Sequence, residues 1–474
     1  MTKRSNLLIK NSIIYAIGDI CPKLFTFLIF PIYTTHLPPS EYGIINYVNT
    51  IDTFLSVISI LSLNTFFLVY YYKVEGTEEK KRLMGNLSLF VFSFSVFLSG
   101  LLFLFGPSLF SAWGSNVDFY PYIGLGVAFN LCNVVTLLPT CLYRVQERPL
   151  PLTVLNVSKS FLILLFSTLV VTLYPGGAKE VLIVRVIIAF IFAIIFLFVT
   201  RKDYILNINT SQLKIALKFA LPLLPGALAY YLFSLFDRVL IDKYLTLTDL
   251  GIYSTASTLA LMLNIVSNGA YRAFEPYFFQ TFGQERFGSD FKRVRDILLV
   301  SVLVCSVFIG LLSKEFFELF SGSQYWDAYK YVTIILIGAV ASAMGLMYET
   351  IIIAREKTLT DTIITVVGSV VSIGLNVLLL AKFGIITAAA VFAFSFCFTL
   401  VLKVKYSGVE VNHLRPIVVS AIAFILIELF TFGVSFNSIL LSIIVKIAIG
   451  LAISAFIMVS MKVTPKSVLS LIKK

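Results

Sequence analysis

The sequence predicts an all-α integral membrane protein of about fourteen transmembrane helices: two six-helix lobes related by a pseudo-twofold axis along the membrane normal, plus a C-terminal helix pair. Three observations carry this expectation. The 474 residues are 58% hydrophobic and only 13% charged, against about 45–50% and about 25% in soluble proteins. Lys and Arg concentrate in every second loop. Loop motifs recur at spacings of 208 to 211 residues. The composition excludes a water-soluble globule, a disordered chain and a disulfide scaffold.

At roughly 20–25 residues per crossing, the apolar stretches divide in order. The first span, 11–35, follows Lys3, Arg4 and Lys10 and contains Asp19, Pro22 and Lys23, so it is a retained helix and not a cleaved signal peptide. Span 42–72 leads to Lys73, Lys80, Lys81 and Arg82, and the pair 83–106 and 117–142 to Arg144 and Arg148. Spans 151–174 and 181–200 return to Arg201, Lys202, Lys214 and Lys218, and spans 215–241 and 250–280 to Arg272, Arg286, Lys292, Arg293 and Arg295. Spans 294–320 and 328–353 lead to Arg355 and Lys357, and 361–381 and 384–402 to Lys403, Lys405 and Arg415. The last two, 415–434 and 439–461, end at Lys462, Lys466, Lys473 and Lys474. With the amino-terminal group, these loops hold 27 of the 37 basic residues, whereas the intervening loops hold Lys179, Lys243, Lys314, Lys330 and Lys382. The positive-inside rule therefore places both termini in the cytoplasm. The net charge of +12 is mostly this topology signal and does not imply a nucleic-acid partner.

The repeat sets the organisation. Glu41-Tyr42-Gly43-Ile44 resembles Asp249-Leu250-Gly251-Ile252, Gln146-Glu147-Arg148 matches Arg355-Glu356-Lys357, and Lys81-Arg82-Leu83 matches Lys292-Arg293-Val294. All occupy equivalent loop positions. The unit is six helices, an even number, so the halves are parallel repeats, with lobes at 1–205 and 206–405 and appended helices at 406–474. Helices one and seven are expected to face each other across a central cavity, which is a transporter architecture. Cys21, Cys132, Cys141, Cys305 and Cys397 all fall in spans without CxxC spacing and are expected to be packing residues.

Motif residues add a family. The run Asn11 to Tyr15, then Phe30-Pro31-Ile32-Tyr33-Thr34 and Ser40-Glu41-Tyr42-Gly43, resembles the amino-terminal signature of the bacterial O-antigen and polysaccharide flippases (oligosaccharide translocases). These belong to the multidrug/oligosaccharidyl-lipid/polysaccharide exporter superfamily. Phe236-Asp237-Arg238-Val239-Leu240, followed by Asp249-Leu250-Gly251-Ile252-Tyr253-Ser254, looks like that family's seventh-helix motif. The resemblance implies an undecaprenyl-pyrophosphate-linked oligosaccharide moved by alternating access from the cytoplasmic to the outer leaflet of the bacterial inner or plasma membrane, for O-antigen or other surface polysaccharide. It also implies membrane lipid, a polysaccharide polymerase and glycosyltransferases as partners. Many members have twelve helices, so the last pair is a departure.

Ionisable side chains in the bilayer interior are costly and normally face a wet cavity or a partner. Lys23, Arg238, Lys159, Arg185 and Arg272 are the expected cavity cations for an anionic head group, Lys23 and Arg238 foremost. Asp19 stands four residues before Lys23 and either neutralises it or modulates it. Asp237 and Arg238 are adjacent and are not expected to pair, so that one faces the cavity. Lys446 reads as an appended-helix contact or a lipid anchor. Asn264, Asn268, Arg272 and Glu275 form a stripe along one helix face. Asn46, Asn49 and Asp52, with Asn130 and Asn133, are further polar positions suited either to sugar hydroxyls or to joining helices.

Enzyme signals are sparse. His36 and His413 sit at helix ends on opposite sides, and no G-x-S-x-G, Walker or H-E-x-x-H segment occurs. No cofactor or metal is expected. Without an ATP site, transport is secondary, driven by an H+ or Na+ gradient or by removal of the product, with Asp52, Asp19 and Glu349 as coupling positions. A drug/cation antiporter of the same superfamily is the nearest rival, but it should show carboxylates dominating the cavity, and here interior Lys and Arg at least balance them. A membrane glycosyltransferase or polymerase needs a large outer loop, and the stretches 107–116 and 321–327 are too short. Topology reporters fused after Ala112 and after Asn207 should read outside and inside respectively; one location for both overturns the fourteen-helix topology.

Overall fold

The computed structural model describes residues 3–174, 176–285, 287–409, 413–434, 436 and 438–463; side chains 3–13, 15, 16, 19, 273, 276, 277 and 280 are outside the description. Among the described residues every regular element is a helix. The chain runs through α1 (Lys3–His36), α2 (Pro39–Ile60), α3 (Leu63–Tyr70), α4 (Thr77–Trp113), α5 (Gly124–Val145), α6 (Pro149–Leu173) and α7 (Ala178–Thr200). It continues with α8 (Thr210–Ala220), α9 (Leu224–Tyr244), α10 (Leu247–Ala260), α11 (Leu263–Thr281), α12 (Phe287–Leu311) and α13 (Ser313–Phe320). The last are α14 (Tyr329–Ala354), α15 (Thr358–Phe383), α16 (Ile385–Ser407), α17 (Leu414–Gly433) and α18 (Ile439–Met461). Thirteen stretches among the described residues are long and apolar enough to cross a membrane, and they match the second to fourteenth expected spans. The 34-residue α1 occupies the place of the first.

Four expected single spans are broken. Pro222 and Pro225 remove backbone donors, and a 3-10 turn at Leu221–Leu223 separates α8 from α9. Leu61 and Ser62 take left-handed backbone angles (φ 48° and 59°) between α2 and α3. Such angles cost a residue with a Cβ about 1–3 kcal/mol and persist only where packing fixes them; here Leu61 and the completely buried Leu63, Phe66 and Phe67 share a core with Leu83 and Leu87 of α4 and Leu138 and Leu142 of α5. The eighth span breaks at Leu261–Met262, between α10 and α11, with Met262 in the right-handed region (φ −56°), and the ninth at Leu312, between α12 and α13.

The contacts divide the chain into two units, Met1–Gly251 and Ile252–Lys474. In the first, α1 packs along α6, α5 against α4 and α7, and α2 against α5 and α9. The connection into α8 is pinned to α4: Ile205 N–H donates to Lys81 O (3.0 Å), and Asn86 Nδ2 donates to Asn209 O (3.0 Å) and Gln212 Oε1 (2.9 Å). The far end of α9 is held equally firmly. Asp242, with no exposed surface, accepts from Ser115 Oγ (2.6 Å) and from the Asn116 N–H (3.1 Å). Asn116 Nδ2 in turn donates to the carbonyls of Asp242 and Leu245. These bonds place α8 and α9 in the first unit.

The repeat motifs have structural counterparts. Glu147 and Glu356, 209 residues apart, both have left-handed φ (56° and 59°). Each ends its helix with one hydrogen-bond pattern: Glu147 N–H to Arg144 O and Arg148 N–H to Tyr143 O, then Glu356 N–H to Ile353 O and Lys357 N–H to Ile352 O. This is the Schellman stop, used twice. The acidic residues of the other motif act differently: Glu41 accepts from the Ala178 N–H at the start of α7 (2.6 Å), whereas Asp249 caps its own helix at Thr246.

In the second unit α14 packs with α16, α15 with α16, and α12 with α14, α17 and α18. Lys446 of α18 is wholly buried against Glu315 of α13 (Nζ–Oε1 2.7 Å), and Ser442 Oγ donates to the same oxygen at 2.5 Å. Lys446 is therefore an appended-helix contact and not a lipid anchor. The five cysteines are free.

Lipid gives little hydrophobic drive to helix association, so small residues at close approaches matter. A Cβ on Gly251 would lie 1.9 Å from Pro39 O, and one on Gly43 2.5 Å from Leu247 O. Both partners are backbone and cannot swing aside. Gly251→Ala should therefore destabilise the protein by about 1–3 kcal/mol, read as a lower melting temperature in detergent. Gly269→Ala, with nothing within 4 Å of the new carbon, should not lower it.

Candidate functional site

Within the first unit, four helices bring together ionisable and amide side chains that are scattered in sequence. Arg185 of α7 donates from Nη1 to Asn49 Oδ1 of α2 at 2.6 Å. Lys159 of α6 donates from Nζ to Asn133 Oδ1 of α5. Both cations lie over the same ring, Phe129 of α5, the guanidinium carbon 4.7 Å and the ammonium 5.5 Å from its centroid. These distances are within cation–π range. Asp52 of α2 is a carboxylate acted on by both cations; its Oδ1 is buried without a hydrogen-bond partner. Asn130 of α5 donates to the Asp52 backbone oxygen (3.3 Å) and accepts from Ser59 (3.2 Å). Asn49, Asp52, Asn133, Lys159 and Arg185 each lie at least seven residues from either end of their helices, about 10 Å along the axis.

The arrangement satisfies hydrogen bonds without cancelling charge. An amide oxygen accepts from a cation but brings no full negative charge, so two positive side chains share one carboxylate. The cluster is one positive charge in excess, deep in an apolar bundle, and suited to receiving an anion.

The second unit handles charge differently. Lys403 of α16 lies 2.6 Å from Glu349 Oε2 of α14 and 3.2 Å from Asp361 Oδ1 of α15. The Tyr271 hydroxyl of α11 meets Thr350 Oγ1, and both Glu275 and Glu349 act on that phenol. Here carboxylates outnumber the lysine. Lys403 counted in the sequence as part of the loop ladder, but it is a helix residue that pairs with Glu349, which the sequence offered as a coupling position. Arg295 is held by Asp296 (2.6 Å) and approaches His413 Nδ1 at 3.3 Å. Burial and the Arg295 guanidinium push that loop imidazole below its ordinary range. No group of three or more His, Cys, Asp and Glu suited to a metal occurs among the described residues.

Among the described residues, the other expected site residues do not meet in the Phe129 cluster. Arg238 and Asp237 are both buried, and their side chains pair (Nη1–Oδ1 3.3 Å), with the Arg238 N–H also donating to Asp237 Oδ1 at 2.8 Å. This corrects the expectation that helix neighbours would not pair: the short aspartate folds back along its own backbone and the long guanidinium bends to it. Lys23 is exposed on α1, while the Asp19 side chain lies outside the described residues. Asn264, Asn268 and Glu275 are half-buried on α11, and Arg272 is exposed there. Asn49 and Asn133, expected as sugar or inter-helix groups, bind the two cations. Phe129 carried no sequence signal, because 44 phenylalanines hide any one of them.

The family model described as "Polysaccharide biosynthesis protein" matches residues 8–282. The chain belongs to this family. A second family model, MatE, matches residues 222–378. Two proteins of Haemophilus influenzae are similar: putative protein 1 of the Lsg locus is 24% identical over 285 residues, 58% of this chain and 67% of that protein. An uncharacterized membrane protein of the same organism is 21% identical over 378 residues, 77% of this chain and 89% of that one. Among solved structures, the lipid II flippase MurJ in an inward closed conformation has TM-score 0.70 at 14% identity, covering 95% of this chain and 98% of its own. An inward-facing multidrug resistance MATE transporter gives 0.66 at 13% identity, covering 82% and 96%. The fold is thus one shared with the MurJ and MATE structures, and the chain is a multi-pass membrane protein of the polysaccharide biosynthesis family.

Removing the shared carboxylate tests the charge reading of the family member's cluster. Asp52→Asn leaves Lys159 and Arg185 over one ring with no counter-charge, at a cost of order 2 kcal/mol. The expected outcome is a lower melting temperature in detergent; an unchanged one means that Asp52 does not offset the two cations.

Proposed function

We propose that this protein translocates undecaprenyl-pyrophosphate-linked oligosaccharide repeat units from the cytoplasmic to the outer leaflet of the bacterial inner or plasma membrane, by alternating access, for O-antigen or other surface polysaccharide. Both termini are cytoplasmic in this reading. The observation that supports it most is the pair Lys159 and Arg185, held over Phe129 by amides with Asp52 as a shared carboxylate. A single ion entering hydrocarbon faces an idealised penalty on the order of 20 kcal/mol, so a pyrophosphate needs fixed cations along its path. Two different cations serve it: the fork of Arg185 suits phosphate oxygens, and Lys159 acts as a point charge. Lys23, exposed on α1, is a further contact on the path.

No cofactor takes part. An H+ or Na+ gradient couples through the acid-rich group Glu349, Asp361 and Glu275 around Lys403 and Tyr271. A polysaccharide polymerase and glycosyltransferases work on either side of the step. That same acid-rich group and the MatE match over residues 222–378 favour a second reading, a drug/cation antiporter, for which the Phe129 cations are of no use.

Export of the lipid-linked glycan, normalised to protein in the membrane, separates the two. Lys159→Ala, Arg185→Ala and Lys23→Ala should each reduce export by roughly tenfold or more, and Lys23→Arg should keep most of it because charge matters there more than shape. Full export by all three alanine variants removes the lipid-linked anion as cargo.

A further inference from the structure

Six buried or half-buried helix cations have two kinds of partner. Arg238, Arg295, Lys403 and Lys446 each meet a carboxylate, at 3.3, 2.6, 2.6 and 2.7 Å. Lys159 and Arg185 instead rest on the amide oxygens of Asn133 and Asn49. Asparagine and aspartate have nearly the same shape, so an aspartate could serve at either position. It would add the charge that the other four cations have.

We propose that Asn49 and Asn133 are specificity-determining positioning residues that set the sign of the charge this site accepts. The inference rests on the anionic-cargo reading above. Each amide fixes its cation over Phe129 while leaving the charge unspent, so the site holds two positive groups against Asp52. An anionic phosphate group then finds oriented donors and uncancelled charge. One aspartate in place of an asparagine brings the balance of Lys159, Arg185 and Asp52 to zero, and two bring it to one negative charge, a site for an organic cation. Two amide-for-carboxylate positions would thus decide between the anionic and cationic substrate classes on one scaffold. Asn133 meets Lys159 of α6 and Asn49 meets Arg185 of α7, and these two cations in turn face Phe129 of α5 and Asp52 of α2.

The test uses the full-length protein in nanodiscs of zwitterionic lipid, with farnesyl pyrophosphate as the anionic probe and tetraphenylphosphonium as the cationic one. Asn49→Asp and Asn133→Asp should each weaken farnesyl pyrophosphate binding roughly tenfold or more. The double variant should lose it and gain tetraphenylphosphonium binding that the wild type lacks. Asn133→Ser, a neutral acceptor, should stay within roughly threefold of wild type, and melting temperatures confirm that every variant is folded. Aspartate variants with wild-type affinity for the anion overturn the proposal, as does an Asn133→Ser loss equal to that of Asn133→Asp, which would make the amide mere helix-joining glue. These outcomes differ from failure of the underlying reading, in which the wild type ignores farnesyl pyrophosphate or binds it equally after Lys159→Ala and Arg185→Ala; that result removes both.

Discussion

A charge inside a bilayer must have a partner, and how each buried cation finds one organises this structure. Lys446 meets Glu315 and thereby fixes α18 to α13. Lys403 joins α16 to α14 and α15 through Glu349 and Asp361. Such pairs are expensive to bury and costly to break by removing one member, so they make helix positions specific where apolar contact with lipid-like neighbours cannot. In the first unit the same constraint is met by amides and an aromatic face. Arg185 and Lys159 join α7 to α2 and α6 to α5 without giving up their charge.

Close backbone approach supplies the second constraint. Gly43 and Gly251, which the repeat places in equivalent motifs, lie at the crossing of α2 with the first turn of α10, where no side chain fits. At the appended helices, Gly310 of α12 lies under Ile427 of α17, and Thr431 Oγ1 donates to the Gly310 carbonyl at 3.3 Å. In both places a missing Cβ lets the helices touch, which dispersion and hydrogen bonding then reward. The repeat is therefore more than a sequence echo. It includes the two left-handed glutamates, which stop α5 and α14 by the same bonds.

The polar networks also decide which helices pack into one unit. α8 and α9 follow the sixth expected span, yet Asn86, Asp242 and Asn116 bind them to α4 and to the α4–α5 loop. Asp242 resembles an ordinary end-of-helix aspartate in sequence. In the fold its carboxylate is fully buried and accepts from Ser115 Oγ and the Asn116 N–H, while its backbone carbonyl accepts from Asn116 Nδ2.

The sequence by itself determined what depends on local composition and period. Apolar stretches long enough for a bilayer must be helices, since a chain in lipid has to satisfy its own backbone donors, and the second to fourteenth expected spans have their helices. Recurring loop motifs identified the repeat, and the signatures around Tyr42 and Arg238 identified the family. Only the tertiary structure decided the pairings. Phe129, Asn133, Lys159, Arg185, Asn49 and Asp52 come from four helices spread over 137 residues, and periodicity along one helix carries no information about which face of another it meets. For the same reason the sequence ranked Arg238 above Lys159 and Arg185, although Asp237 already holds it. Whether a buried cation is neutralised or left available is a property of its neighbours in space, not of its place in the chain.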